Sequence, residues 1–400
     1  MIRWDDGASS AFHPLWLRDN CRTARDAYSR QKLCTAESLP TDLAVAHVDV
    51  AARVLTLRWL PDGHVSTYCA DWLRAMATDA KASMAECDHD APPALASFAH
   101  DDLVSSGDSG AWGLTSALVE HGAALLTGVP TEPGTVGAVA RLLGPVQPQI
   151  YGDLFDVRLT PQPINIAYGS GAIGPHMDLA YYESPPGIQL LHCLRFDADV
   201  AGGRSFLIDG FAAAETLRRE SPEAFATLSR VPATFLKDHD QRASPVLLSY
   251  QRPHIAADPA GRVVGLFWSP PFEGPLRVPP DDVADYYEAY ARLHAVIDKA
   301  PRWERRLSPG ELIVFSNRRM LHGRSDFGAV DGTSGGERWL QGCYVSIDDF
   351  ANRYNLLHRA HGPTTYPSEA PPRHLGNQDW GHLGSACLPP PTAAAAVIQS

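Results

Sequence analysis

The chain has 400 residues, of which 44% are hydrophobic and 20% are charged, as in a soluble globular protein with one large and one smaller domain. Its formal net charge of −12 repels phosphate and argues against nucleic acid or anionic membrane as a partner. The seven cysteines form no CxxC pair, which favours reduced thiols. No basic-then-apolar leader opens the chain and no apolar run reaches bilayer-spanning length, so we expect a cytoplasmic protein.

Residues 1–90 predict a small β-rich N-terminal domain. Residues 47–50 and 54–59 alternate apolar and polar side chains at the strand period. The dipeptide Asp62-Gly63 is a hairpin-turn signal and leads into a further strand at 65–68. The stretch 88–93, rich in Ala, Pro and Asp, is the best candidate for a linker.

Residues 95–385 predict a larger, mostly β domain with helices. The predicted helices cover residues 111–121, 136–143 and 280–299. The predicted strands cover residues 123–129, 187–193, 205–208, 263–267, 311–315 and 339–345. Several strands with scattered helices favour a double-stranded β-helix, or jelly roll. The low-complexity tail, residues 386–400, is expected to be disordered.

Two histidines and one aspartate carry the strongest chemical signal. His176 and Asp178 are two residues apart, and in an extended strand they would point to the same face. His322 would have to come from a strand distant in sequence but adjacent in space. Two imidazoles and one carboxylate are the ligand set that holds non-haem Fe(II) and leaves coordination positions open. The pattern predicts an oxygen-activating enzyme.

An arginine follows this set. Arg338 lies sixteen residues after His322 and begins an apolar strand. A buried arginine needs an anionic partner, which a dicarboxylate cosubstrate would supply. A salt bridge to a nearby carboxylate is the alternative explanation.

Longer motifs carry a family resemblance, which spans nearly the whole chain. The chain resembles the γ-butyrobetaine hydroxylase and trimethyllysine dioxygenase branch of the TauD-like Fe(II)/2-oxoglutarate oxygenases. The matching stretches are residues 16–21, 62–66, 151–152, 165–168, 176–178, 181–193, 202–205, 209–211, 317–325 and 338–344.

The resemblance implies a role for each matching residue. The implied iron ligands and catalytic residues are His176, Asp178 and His322. The implied 2-oxoglutarate contacts are Arg338, Ser205 and Asn165. The implied substrate contacts are Tyr151, Phe155, Tyr168, Leu179, Ser269 and Tyr344. Among these, Tyr151 and Tyr344 match positions that face a trimethylammonium group, whose recognition depends on cation–π contact. By resemblance we also expect O2 as cosubstrate and a homodimer.

The sequence departs from the family in two places. The N-terminal zinc site of the family uses three cysteines and a histidine, whereas only Cys21 and His64 remain here, so we predict no zinc. The aromatic cage is also thinned, since Phe155 stands where the family usually has Trp. Leu179 follows Asp178 where an aromatic residue can occur, and Trp268-Ser269 replaces a pair of asparagines.

These observations predict a dioxygenase that hydroxylates an unactivated C–H bond of a small amino-acid-like or betaine-like substrate. One alternative is hydroxylation, desaturation or cyclisation of a natural-product intermediate, which the thinned cage favours. Two alternatives come from other classes: a zinc hydrolase, and a metal-dependent binding or sensor protein without turnover.

Several other residues receive structural interpretations. His192 and Cys343 are expected in the core, because both lie in apolar strands. Residues 237–240 are expected to form a solvated loop that closes over the site. The arginines that flank His322 are expected on a surface face, with support of the cosubstrate or of a substrate carboxylate by one of them as the alternative; they are Arg318, Arg319 and Arg324.

Overall fold

The computed structural model describes residues 1–26, 29, 31–33, 35–76, 91–160, 165–258, 261–331, 333 and 335–362. Contacts divide these residues into an N-terminal unit and a larger unit. Half of the predicted linker, residues 88–90, and the whole predicted tail, residues 386–400, lie outside the described residues. In the described part, no helix is both long and apolar enough to cross a bilayer.

The N-terminal unit is built on a three-stranded antiparallel sheet. Its elements are β1 (Ile2–Arg3), β2 (Ser9–Ser10), α1 (Pro14–Asp19), β3 (Ala44–Ala51), β4 (Val54–Leu60), β5 (Val65–Cys69) and α2 (Ala70–Ala75). The β3–β4–β5 sheet contains the strands that the alternation predicted, and Gly63 in the β4–β5 turn has a φ of 68°, which glycine adopts readily. The buried Trp59 donates from Nε1 to the hydroxyl of Ser66 at 2.8 Å, so the core leaves the indole N–H satisfied.

The larger unit contains the remaining elements. Its strands are β6 (Ala96–Ala99), β7 (Ala123–Thr127), β8 (Phe155–Val157), β9 (Ile173–His176), β10 (Ile188–Phe196), β11 (Val200–Gly202), β12 (Ser205–Asp209), β13 (Pro232–His239), β14 (Val246–Pro253), β15 (Ile255–Ala257), β16 (Val263–Leu266), β17 (Arg302–Arg305), β18 (Leu312–Ser316), β19 (Met320–Arg324), β20 (Phe327–Ala329) and β21 (Arg338–Val345). Its helices are α3 (His100–Ser105), α4 (Asp108–His121), α5 (Thr135–Ala140), α6 (Gly210–Glu220), α7 (Pro222–Arg230), α8 (Pro280–Lys299) and α9 (Ile347–His361).

Two sheets form the centre of this unit. The larger sheet has the strand order β6-β7-β18-β10-β21-β8, and the smaller sheet has the order β17-β12-β19-β9. All neighbours pair antiparallel except β6 and β7. Apart from β6 and β7, strands adjacent in a sheet are not consecutive in the chain, as in the double-sheet jelly roll expected from the sequence.

Because side chains alternate between the two faces of each strand, the buried side chains form three layers. Side chains of both sheets, such as Leu191 and Leu207, meet between the sheets. The opposite face of the larger sheet packs Leu190 and Val314 against helices α4, α5 and α9. The opposite face of the smaller sheet packs against α6, α7, α8 and the β13–β16 strands. A strand buried on both faces reads as a continuous apolar run, which explains residues 187–193.

The predicted strands and the three predicted helices are confirmed, with boundary differences of a few residues. The prediction of a solvated loop at residues 237–240 is wrong, because Lys237, Asp238 and His239 belong to β13, which pairs along its whole length with β14. Lys237 is only 8% exposed. The charged residues at 237–240 suggested a solvent-exposed loop. In the structure, residues 237–239 form the end of a strand whose earlier residues are mostly apolar.

Candidate active site

The metal-binding candidates lie where β9 and β19 pair in the smaller sheet. His176 ends β9 and is directly opposite His322 in β19, and their ring centroids are 4.2 Å apart. Asp178 lies beyond the end of the strand, so the expectation that a continuous strand aligns it with His176 is wrong. The backbone turns instead at Leu179, which has a φ of 59°, unusual for a residue with a branched side chain.

The turn after β9 is fixed by the side chain of Asn317. Its amide oxygen accepts from the backbone N–H of Asp178 at 2.9 Å, and its Nδ2 donates to the Asp178 carbonyl at 3.0 Å. These two hydrogen bonds continue beyond His176, where the backbone pairing of β9 with β19 ends. The result is a cluster in which ligand atoms of His176, Asp178 and His322 all lie within 4.8 Å of one another.

Hydrogen bonds orient two of the three side chains. The carbonyl of Gly174 lies 2.9 Å from Nδ1 of His176, and a donor at Nδ1 leaves the lone pair on Nε2, which faces Asp178 at 3.5 Å. The Oδ2 atom of Asp178 accepts from Nε2 of Gln189 and from the hydroxyl of Tyr344, both at 2.7 Å. Such contacts are typical of a carboxylate held ready for a metal.

The electrostatics favour the metal-binding protonation state of His322 and Asp178, whereas at His176 burial, which lowers the pKa, is outweighed by Asp178, which raises it. Burial, and then the neighbouring His176, lower the pKa of His322 to about 3, so this imidazole is neutral at pH 7. Burial alone would raise the pKa of Asp178, but His322, His176 and Tyr344 outweigh it and hold that pKa below its usual range. A neutral imidazole beside an ionised carboxylate is the donor chemistry that Fe(II) accepts.

Arg338 is buried at the same cavity without a counter-ion. It is 4% exposed, and its guanidinium carbon is 5.5 Å from the ring centroids of both Phe196 and Phe327. Among the described residues it forms no salt bridge, and its Nε has no hydrogen-bond partner. Burial, and then the charge of Arg324, lower its pKa to about 10. An unpaired buried cation is costly, so the site fits a small anion.

A cavity of about 850 Å³, measured to its open mouth, joins the cluster to this arginine. The predicted site residues that line it are His176, Asp178, His322, Arg338, Ser205, Asn165, Tyr151, Phe155, Tyr168, Leu179 and Tyr344. The ring of Phe155 stacks on that of Tyr344 at 5.1 Å, and Nδ2 of Asn165 donates to the hydroxyl of Tyr151 at 3.1 Å. Twelve residues were predicted for this site, and the cavity brings eleven of them together.

Ser269 is the exception. It is fully buried and does not line the cavity, because the chain turns after it and presents Pro271 and Phe272 instead. The sequence analysis also missed Tyr181, Gln189 and Phe272 in the wall. Gln189 alternates with Leu190 in β10, and a polar side chain in an apolar run was the available signal.

The expectation that three arginines near His322 lie on a surface face is wrong. Arg318 and Arg319 are each 2% exposed, and Arg324 is 5% exposed. Arg318 donates to the carbonyl of Pro185, and Arg319 pairs with Asp209 at 2.7 Å, so both hold loops around the sheet. Arg324 donates to the carbonyls of Ala167, Gly169 and Gly171, and therefore supports the segment that carries Tyr168.

His192 and Cys343 lie in the core, as the sequence predicts. Both are completely buried and lie outside the metal cluster. Burial lowers the pKa of His192 to about 4 and raises the pKa of the Cys343 thiol to about 12. A thiol with such a high pKa is a poor nucleophile.

In the N-terminal unit, Cys21 and His64 lie together. The sulfur of Cys21 is 3.2 Å from Nε2 of His64, and the hydroxyl of Thr23 is 3.0 Å from the same sulfur. Across the described residues, the His176, Asp178 and His322 group is the one cluster of three potential metal ligands. The absence of zinc remains a prediction.

Taken together, a jelly roll with a His-Asp-His cluster and an unpaired buried arginine defines the class of non-haem iron, 2-oxoglutarate-dependent dioxygenases. The family described as "Taurine catabolism dioxygenase TauD, TfdA family" matches residues 91–344, and "Gamma-butyrobetaine hydroxylase-like, N-terminal" matches residues 1–74. The chain belongs to the TauD/TfdA family.

Characterised relatives match along most of the chain. A γ-butyrobetaine dioxygenase from Pseudomonas sp. (strain AK-1) is 35% identical over 371 residues, which cover 90% of this chain and 93% of the relative. A trimethyllysine dioxygenase from Meyerozyma guilliermondii is 28% identical, covering 90% and 94%. The human γ-butyrobetaine dioxygenase is 29% identical, covering 89% and 93%. The prediction of an iron- and 2-oxoglutarate-dependent dioxygenase is thereby confirmed.

Proposed function

We propose that this dioxygenase hydroxylates an unactivated C–H bond of a small amino-acid-like or betaine-like substrate. The observation that carries the proposal is one cavity that contains the His-Asp-His cluster, the unpaired Arg338 and a wall of aromatic rings. The names of the relatives support a substrate of this size and kind.

The residues that would hold the cofactors divide the cavity into two parts. His176, Asp178 and His322 would hold Fe(II), and Arg338 with Ser205 would bind the far carboxylate of 2-oxoglutarate. When bound, these groups supply the oxidation of a C–H bond by O2, with release of succinate and CO2. The protein orients the substrate carbon with its aromatic wall and excludes water from the reacting atoms.

The role of Arg338 has a direct test. In Arg338→Met, we expect the dissociation constant of 2-oxoglutarate to rise at least about 30-fold, since truncation of one partner of a buried charge pair costs roughly 2 kcal/mol or more. The measurement is calorimetric titration of the Mn(II)-loaded protein without oxygen. The control is Arg195→Met, which removes an exposed arginine of β10 that pairs with Asp197. An unchanged dissociation constant would show that Arg338 is structural.

The reaction itself is tested by substrate screening. Succinate release and O2 consumption are measured with γ-butyrobetaine, trimethyllysine and ordinary amino acids in the presence of Fe(II) and 2-oxoglutarate. We expect substrate-stimulated succinate formation in the wild type and its loss in His176→Ala. Absence of 2-oxoglutarate turnover with every substrate would favour a binding or sensor protein.

We also propose that hydrogen bonding replaces zinc in the N-terminal unit. Cys21, Thr23 and His64 already contact one another, which supports a closed cluster of polar groups without metal. Metal analysis of the purified protein should give well below one zinc per chain. A full equivalent that dialysis against a chelator removes only on unfolding would refute this.

A further inference from the structure

The cavity has an unusual charge distribution for a cage that would bind a quaternary ammonium group. Asp178 is the one carboxylate in its wall, and this carboxylate belongs to the metal cluster. Arg324 and Arg338 both line the cavity. Since Arg338 would be paired with 2-oxoglutarate in the proposed function, Arg324 is the charge of the described wall that remains beside the metal ligand.

A further cation lies over the predicted cage. The guanidinium carbon of Arg242, in the turn between β13 and β14, is 5.2 Å from the ring centroid of Tyr151. Its Nη2 donates to the carbonyl of Ile150 at 2.6 Å, while its Nη1 is buried and without a hydrogen-bond partner in the described structure. No described carboxylate forms a salt bridge with it. The ring that would face an ammonium group already interacts with a permanent cation.

A second wall ring carries a second cation. The ammonium nitrogen of Lys237 is 5.2 Å from the ring centroid of Phe272, which lines the cavity. Within the described residues Lys237 forms no salt bridge. Burial, and then the positive charge of Arg242, lower its pKa. Both cations come from the β13–β14 hairpin, which also carries Asp238 and Asp240, and each cation lies over one ring of the aromatic wall.

The phenols of the wall feel both Asp178 and Arg242. Burial, and then Tyr151 and Asp178, raise the pKa of Tyr168 to about 12, while the charge of Arg242 acts in the opposite direction. Burial likewise raises the pKa of Tyr151, as does Asp178, against two hydrogen bonds and the same arginine. An aromatic ring attracts a cation through its quadrupole, but a cation on one face repels a second charge of the same sign nearby. In a buried site this repulsion is screened less than in water.

We propose that the cavity selects a small amino-acid-like substrate whose end next to Tyr151 is uncharged, and that Arg242 is a specificity-determining residue against quaternary ammonium ions. This inference rests on the proposed function and narrows its substrate class. Arg242 acts through the aromatic wall, since it does not line the cavity itself.

The test compares two ligands of the same shape. One is γ-butyrobetaine, and the other is its carbon isostere, in which a tert-butyl group replaces the trimethylammonium group. Their dissociation constants are measured by calorimetry on the protein loaded with Mn(II) and 2-oxoglutarate without oxygen, so that no turnover is required. The ratio of the two constants reports the effect of charge, because a loosened loop weakens both ligands alike.

The wild type should bind the isostere at least tenfold more tightly, and Arg242→Gln should reduce that preference by about tenfold. Arg242→Lys retains the charge and should retain the preference. Arg292→Gln, which removes an exposed arginine of α8 paired with Glu288, is the matched control and should also retain it.

Three outcomes would overturn the inference. They are equal or tighter binding of γ-butyrobetaine by the wild type, the same ratio in Arg242→Gln as in the wild type, and failure of both ligands to bind. The proposed function is judged separately, by the visible charge-transfer absorption that Fe(II) and 2-oxoglutarate give when they bind together in the protein. A protein that shows this absorption but prefers γ-butyrobetaine would keep the proposed function and lose the inference.

Discussion

At the scale of single residues, Asp178 is controlled by the side chains around it. Its Oδ2 accepts two hydrogen bonds, from Gln189 and Tyr344, and these come from two neighbouring strands of the larger sheet. The aspartate itself follows a strand of the smaller sheet. The metal cluster is therefore oriented by contacts that cross between the two sheets.

We predict that Gln189→Leu weakens metal binding by about 10- to 100-fold, because loss of a hydrogen bond to a metal ligand lets the carboxylate rotate. The leucine has a similar volume and retains the packing of β10. Titration with Mn(II) under anaerobic conditions measures the dissociation constant. The control is Gln341→Leu, which removes another buried glutamine, one that bonds Asp156 and the backbone of Gly134. Equal effects in the two variants would mean that Gln189 only stabilises the fold.

The residues of the site were predictable to different degrees. The two histidines, the aspartate and Arg338 could be found from the sequence because their chemistry is specific and their motifs are long. Phe272 and Arg242 could not be found, since only the folded chain brings the turn after β16 to Tyr181 and the tip of the β13–β14 hairpin to Tyr151. Long-range contacts of this kind leave no local periodicity.

At the scale of secondary structure, the pairing of β9 with β19 sets the distance between the two histidines. Gly323 follows His322 in this pair, and an added Cβ would lie 2.4 Å from the carbonyl oxygen of Ile173 and 2.3 Å from the ring of Phe206. The backbone oxygen cannot move without loss of the strand register. Close approach of two strands at the metal site thus requires glycine at this position.

We predict that Gly323→Ala lowers the free energy of unfolding by roughly 1–3 kcal/mol, as overpacking usually does, and also weakens metal binding. Urea unfolding and Mn(II) titration measure the two effects. The control is Gly328→Ala in β20, where an added Cβ meets no atom within 4 Å. If both variants behaved as the wild type does, the described approach of β9 and β19 would be wrong.

Helices and strands could be predicted where hydrophobic residues alternate or form a clear run. They could not be predicted where charged residues obscure that pattern. Helix α8 and strands β10, β18 and β21 follow directly from their patterns. Strand β13 was missed because its last residues are charged, although its earlier residues, including the fully buried Phe235, pack in the core behind the smaller sheet. Tertiary packing of one half of the strand thus outweighs the polar character of the other half.

At the scale of the whole molecule, the layered core of the larger unit buries histidines that take no part in the metal cluster. His254 is fully buried; its Nδ1 is 2.7 Å from the carbonyl oxygen of Phe267, and its Nε2 is 2.9 Å from the hydroxyl of Tyr286. Burial lowers the pKa of His254 to about 4, against the opposing effect of the Phe267 carbonyl. A neutral core histidine makes the stability of this unit depend on pH.

The direction of this dependence follows from the two pKa values of His254. Its pKa is about 4 in the folded protein and 6.5 in the unfolded chain. Between these values the unfolded chain binds a proton that the folded protein does not, so stability falls as the pH drops from about 6.5 towards 4. For one such histidine the loss between pH 7 and pH 5 is about 2 kcal/mol.

We therefore predict that His254→Phe loses less stability between pH 7 and pH 5 than the wild type does, even though the variant is less stable at pH 7. The lower stability at pH 7 is expected because the hydroxyl of Tyr286 loses its partner. Urea unfolding at both pH values, followed by tryptophan fluorescence, gives the two free-energy differences. The exposed His47 provides the control in His47→Gln, which should lose as much stability as the wild type. Equal losses in His254→Phe and the wild type would show that His254 is not held neutral in the core.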